Sequence, residues 1–258
     1  MNTNSLNTQL AVSTNEGLCS RRRPGYVGQL TVLGTKGWLE TRLIFVFVLW
    51  VFAVNLGADL IQASRMPMKA SDLVMSMLLI WVFFPAMLAG NGIRTAKVFR
   101  PSAGTHRSMY FTLSLPVSRV RLLAVRVGVG LLETLIIDIA VVIAMMALFP
   151  VLRNASNFGD AILYIVALVA YTFALYSFST LWAALLEGAG RVWGTFLLVI
   201  AMRWVVAHSL RGLDILGGIA GGAPLLTHTL PWVALVVLFG LTVLFLAGAW
   251  KVVDSKEY

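Results

Sequence analysis

The chain has 258 residues, 59% of them hydrophobic and 12% charged, with a mean hydropathy of +0.86. Soluble domains carry about 25% charged residues and roughly 45–50% apolar ones. So little charge cannot cover a water-facing surface, which excludes a separate soluble catalytic domain and makes lipid the solvent. The net charge of +9 is therefore read against a membrane, where Lys and Arg mark the cytoplasmic side, and not as a nucleic-acid footprint.

Residues 1–25 are rich in Asn, Thr and Ser and close on Arg21, Arg22 and Arg23, the composition of a disordered cytoplasmic tail. This tail holds the single cysteine, Cys19, so neither an internal disulfide nor a multi-cysteine metal site can form. Residues 26–42 mix apolar side chains with Lys36, Trp38, Glu40 and Arg42, which predicts an elbow helix lying at the membrane interface. The transmembrane domain is expected over 26–250, and a short cytoplasmic tail over 251–258.

Six apolar runs follow the elbow, at 43–61, 73–90, 122–149, 161–186, 192–207 and 230–250. A helix needs about 20 apolar residues to span a bilayer. The runs lack the alternation of barrel strands, and an open strand edge cannot sit in hydrocarbon. The expected fold is therefore an all-α membrane protein of six transmembrane helices. Trp232 and Trp250 bracket the last run at about 27 Å along a helix, close to the ~30 Å hydrocarbon thickness.

With the N-terminus cytoplasmic, 15 of the 20 Lys and Arg residues fall inside, four fall outside, and Arg203 lies within a span. That bias predicts both termini in the cytoplasm. Two connections stand out. Residues 91–121 are long, basic and free of Asp and Glu. Residues 208–229 carry Gly217, Gly218, Gly221 and Gly222 after a short fifth run. This second connection is either a re-entrant hairpin packed against protein, its small-xxx-small pairs allowing close contact, or a flexible glycine loop.

Catalytic signatures are absent: there is no GxxxxGK[ST], HExxH or GxSxG in the sequence. No nucleotide, metal or other cofactor is expected on this chain. His106, His208 and His228 are scattered and read as surface histidines. The third run is more informative, since it carries Arg126, Glu133 and Asp138. Ionisable groups at membrane depth face protein or water and take partners. Arg126 and Glu133 share one helix face and are too far apart to pair, so each needs a partner on another helix; Asp138 is rotated by about 140°. These acids, with Arg203 at the outer side, either line a polar pathway or anchor helix to helix. The fourth run carries Tyr164, Tyr171, Thr172, Tyr176, Ser177, Ser179 and Thr180, whose hydroxyls fit helix packing.

The segment Tyr110-Phe111-Thr112-Leu113-Ser114-Leu115-Pro116-Val117-Ser118-Arg119 precedes the third run. Pro116 interrupts a helix and restrains Leu115, while Ser118 can cap a helix that begins at Arg119. The segment resembles the stretch before the third span of ABC type-2 permeases, the membrane subunits of ATP-binding-cassette exporters. The order of elements is similar too, from about Trp38 to Trp250. The resemblance implies a permease subunit in the cell (inner) membrane that forms half of a translocation pathway. It implies coupling to a separate ABC ATPase subunit through Arg107, Tyr110, Ser114, Leu115, Pro116, Val117, Ser118 and Arg119, with ATP and Mg bound on that partner. It also implies a dimer, either a homodimer or a paired permease. Members of that family commonly carry a glutamate early in this region, and residues 100–107 here contain no acid. The alternatives are an intramembrane enzyme and an ion-coupled secondary transporter, each using Glu133 and Asp138.

Overall fold

A computed structural model describes residues 26–89, 119–185 and 232–255, with isolated positions between 194 and 228. The helices are α1 (Tyr26–Arg65), α2 (Ala70–Ser76), α3 (Leu78–Leu88), α4 (Arg119–Leu148), α5 (Pro150–Ala155), α6 (Phe158–Leu185) and α7 (Trp232–Ser255), and no strand occurs among the described residues. Within them Thr41–Arg65, Arg121–Leu148, Phe158–Leu185 and Trp232–Ser255 are each long and apolar enough to cross a bilayer. The chain is an all-helical, multi-pass membrane protein.

No break separates the expected elbow from the first span. Tyr26–Arg65 is one helix of 40 residues, about 60 Å of helix, or twice the hydrocarbon thickness. Its continuity has a packing cause. Leu33, Gly37 and Thr41 are buried at four-residue spacing, and the same stripe runs on through Val48, Phe52 and Leu56. A Cβ on Gly37 would lie 3.8 Å from Val129 of α4, so the helix is already packed against protein before Arg42. The charges that marked an interface lie off this stripe, as the exposure of Arg42 shows.

The second apolar run folds as two helices meeting at Met77, whose carbonyl accepts from the amides of both Ile80 (3.0 Å) and Trp81 (3.1 Å). Ser76, just before the joint, donates its hydroxyl to Asp59 Oδ2 at 2.7 Å. Further along, Phe52 packs on Trp81 and Phe84 with ring centroids at 4.9 and 5.6 Å. Higher numbers on α2–α3 meet lower numbers on α1, so the pair is antiparallel. Ala70 to Leu88 reaches roughly 28 Å.

The remaining directions follow from the same reasoning. Gly37 meets Val129, and Thr41 meets Glu133, so α1 and α4 run parallel. Pro150, whose ring fixes φ and lacks an N–H, follows the end of α4 and opens the short α5. The chain then turns back, and Asp138 meets Thr172, which makes α4 and α6 antiparallel. Phe178 packs edge-on against Phe245 at 5.2 Å, while Leu181 lies 3.4 Å from a Cβ built on Gly248. The pair α6 and α7 is therefore parallel. Helix α6 packs against α3, α4 and α7. It is 56% buried over its apolar window, against 22% for α1 and α7, so α6 is the central helix and the other two present broad faces to lipid. The last helix continues past Trp250 to Ser255.

Candidate functional site

The polar groups inside this apolar bundle converge on α4. The apolar segment of α4 has its midpoint between Thr134 and Leu135, so Glu133 and Asp138 lie within about 6 Å of the middle of that helix segment along its axis. Both are buried, at 2% and 0% exposure.

Glu133 faces α1. Its Oε1 accepts the Thr41 hydroxyl, which also lies 3.2 Å from the Gly37 carbonyl oxygen one turn back. Asp138 faces α6. Its Oδ2 is 2.7 Å from the Thr172 hydroxyl, and that hydroxyl is 3.0 Å from the Leu168 carbonyl oxygen, again one turn back. Glu133 therefore has a partner on α1, and Asp138 has one on α6. The second oxygen of each carboxyl, Glu133 Oε2 and Asp138 Oδ1, is buried without a hydrogen-bond partner, as are the Tyr164 hydroxyl and Ser177 Oγ.

All seven hydroxyl residues of the fourth run are buried on α6. Tyr176 is placed by a glycine. Its ring and hydroxyl occupy the position that a Cβ on Gly130 would need. Gly130 is one turn before Glu133 on the same face, so Thr41, Glu133, Gly130 and Tyr176 form one cluster where α1, α4 and α6 meet. Arg126 is half-buried on the same helix.

A second polar contact closes one end of the bundle. Asp160, in the first turn of α6, accepts the Asn157 amide at 2.8 Å, and the same Oδ2 lies 2.8 Å from His228 Nδ1. An acid at this position satisfies an amide that the helix start leaves unpaired. His228 holds a positive φ of 57°, a conformation uncommon for a non-glycine residue. The His228 ring is exposed, as expected of a surface histidine, and it also ties the approach to α7 to the start of α6. The pairing joins residues 68 apart, and nothing local in the sequence signals it. No group of three or more metal-ligating side chains occurs among the described residues.

An apolar cavity of about 220 Å³ lies between α1 and α3, bounded by Phe47, Val51, Ile80, Phe84 and Met87. It has no polar lining and offers no chemistry beyond apolar contact.

Of the expected coupling residues, Arg107, Tyr110, Ser114, Leu115, Pro116, Val117 and Ser118 lie outside the described residues, as do Arg203, the 1–25 tail and the glycine-rich 217–222 stretch. Arg119 is the first residue of α4. The residues that sequence reasoning missed are Thr41, Gly130, Asp59 with Ser76, and Asp160. Only Asp59 and Ser76 carried a signal, as polar positions in an apolar run.

No family model, curated protein or solved structure matches this chain.

Proposed function

We propose that the chain is the membrane-spanning permease subunit of an ABC exporter, with six crossings and both termini in the cytoplasm. In this reading it supplies half of a translocation pathway, a second permease chain supplies the other half, and a separate ATPase hydrolyses ATP. The observation that carries the reading is the pair of parallel helix contacts. Helices α1 and α4 run side by side in one direction, so the chain between them has to return once, and the α2–α3 pair descends antiparallel to α1 over nearly the hydrocarbon thickness. Helices α6 and α7 also run in one direction, so one more return is required between Leu185 and Trp232, where the fifth apolar run lies. Four described spans with two returns fit a count of six crossings. The start of α1 and the end of α7 then share a face, and the positive bias assigns that face to the cytoplasm.

The same arrangement supports the coupling assignment. The end of α3 and the start of α4 both lie toward the face where α1 begins, and the segment Arg107 to Arg119 joins them. Its Leu115 and Pro116 are suited to dock in a groove of a partner ATPase, because interface centres rest on apolar anchors and fixed backbone. Attraction of Arg107, Arg119 and Arg121 to anionic lipid, about 1 kcal/mol each, would not depend on those two residues. Leu115→Asp is therefore expected to uncouple ATP hydrolysis from transport while leaving the chain inserted. A Leu115→Asp chain that assembles with its ATPase and transports normally would return the segment to a membrane anchor.

A second reading, an ion-coupled secondary transporter, draws on the unpaired oxygens of Glu133 and Asp138 near the middle of the apolar segment of α4. An intramembrane enzyme would use the same acids. Transport that persists without any ATPase partner, driven by an ion gradient, would favour the transporter.

A further inference from the structure

Phe52 of α1 packs on Trp81 and Phe84 of α3 with ring centroids 4.9 and 5.6 Å away, and those two rings meet each other at 5.8 Å. This aromatic cluster holds the two helices apart. Beside it α1 carries Val48 and Val51, whose short branched side chains do not fill the same spacing. The result is the apolar cavity of about 220 Å³, which runs from Ile80 to Met87, two turns of α3 or roughly 10 Å along the helix. Val48 and Phe84 form its floor, buried at 2% and 1% exposure. Phe47 stands at its rim, 49% exposed and continuous with the outward-facing Val46, Trp50 and Val54.

Depth, lining and size together decide what fills this space. Phe47 lies about 9 Å from the middle of Thr41–Arg65, and the hydrocarbon of a bilayer reaches about 15 Å to either side of its centre. Water is a poor occupant, because a buried water makes about 2–4 hydrogen bonds and the cavity has no polar lining. A further helix is too wide, at about 10–12 Å across. An apolar cavity of about 150 Å³ takes a benzene ring, so the volume here suits a section of a single hydrocarbon chain lying along the helices. Residues 91–107, which follow α3, carry Arg94, Lys97, Arg100 and Arg107, charges that make hydrocarbon depth costly.

We propose that the cavity is a binding slot for one acyl chain of a bilayer phospholipid, which enters past Phe47 and lies between α1 and α3. The acyl chain makes the contacts that Val48 and Val51 leave unmade, so the lipid is part of the packing between the two helices. Its headgroup stays at the membrane surface, because the slot offers no polar partner. The proposal uses only the α1–α3 contact and holds whether or not the protein is a permease.

The test is photolabelling of the full chain in nanodiscs whose phosphatidylcholine carries a diazirine halfway along one acyl chain, with the modified residues located by peptide mass spectrometry. The expected result is label on Ile80 and Met87, the α3 wall, as well as on the outward-facing Trp50. Val51→Trp places an indole across the slot, so it should abolish the α3 label and leave Trp50 labelled. Should Val51→Trp fail to insert, Ile80→Phe fills the space from the opposite wall and is read on Met87. Label on Trp50 with none on Ile80 or Met87 in the wild type would overturn the proposal, by showing that protein, from this chain or a second copy, covers the slot. So would an α3 label that persists in the filling variant, since it would come from lipid outside the slot.

Discussion

Thr41 and Glu133 are hydrogen-bonded across the interface of two parallel helices although 92 residues separate them in the chain. The contact joins α1 to α4 and fixes their register. It also converts an acid in an apolar run into a structural element with a defined partner. Hydrogen bonds between membrane helices average about 0.6 kcal/mol, reaching roughly 1–2 kcal/mol in favourable cases.

Thr41→Val removes the hydroxyl and little volume. The expected cost is therefore about 1 kcal/mol or less, seen as a small drop in the unfolding midpoint in mixed micelles. Glu133→Gln keeps an oxygen acceptor for Thr41 and should be milder still. If Glu133→Gln cost more than Thr41→Val, the charge or proton on Glu133 would matter more than this bond.

Gly130→Ala should be one of the most damaging small substitutions in the chain. Its Cβ would occupy the place of the Tyr176 ring and hydroxyl, and overpacking typically costs about 1–3 kcal/mol. Tyr176→Leu in the same chain should recover part of the loss, since it withdraws the ring. Equal stabilities for the single and double variants, measured by thermal unfolding in detergent, would show that α4 and α6 do not approach so closely.

Cysteine cross-linking tests the parallel pair. In a Cys19→Ser background, Phe178→Cys with Phe245→Cys should be joined by a short bifunctional thiol cross-linker, because the two rings meet at 5.2 Å. Phe178→Cys with Val233→Cys should not, since an antiparallel pairing alone would bring those levels together. Labelling from outside should then modify cysteines at Ser64 and Asn154, both exposed, and spare one at Ser255. Ser156 is a poor reporter on that side, because it is buried and its hydroxyl donates to the Leu152 carbonyl at 2.8 Å.

At His228 the backbone and the side chain make separable contributions. His228→Ala loses the Asp160 contact and keeps a residue with a Cβ at φ 57°. His228→Gly loses the same contact but removes the backbone strain, worth about 1 kcal/mol or more. The glycine variant should therefore unfold at the higher temperature of the two. The reverse order would mean that this φ is not held in the folded protein.

The sequence made the composition of the bundle legible and left its pairings hidden. Apolar runs and hydroxyl-rich faces are local signals, and the burial of Tyr164, Thr172 and Ser179 on α6 followed from them. The continuity of residues 26–42 with the first span has no local mark either: Lys36 and Arg42 suggest an interface, while Gly37 and Thr41 pack on α4. Nor does anything near Met77 forbid a helix, so the joint between α2 and α3 has no sequence mark. The contacts that define the polar clusters, Glu133 with Thr41, Asp160 with His228 and Tyr176 over Gly130, each depend on which helix lies beside which. That is settled by the whole bundle and not by any window of the chain.

The parallel pairing of α6 and α7 has a consequence for biogenesis. Neighbours joined by a tight hairpin can dock as soon as the second one leaves the ribosome, and α4 with α6 is such a case. A parallel neighbour cannot dock so early. Among the described helices, the face of α6 that carries Phe178 and Leu181 meets its mate only once Phe245 and Gly248 have been synthesised. At about 5–20 residues per second, that delay is on the order of 3–13 s. The most buried of the four described spans is thus the one whose burial is completed last. In the interval its unmatched surface is open to lipid, to the insertion machinery, or to the same surface on another nascent chain.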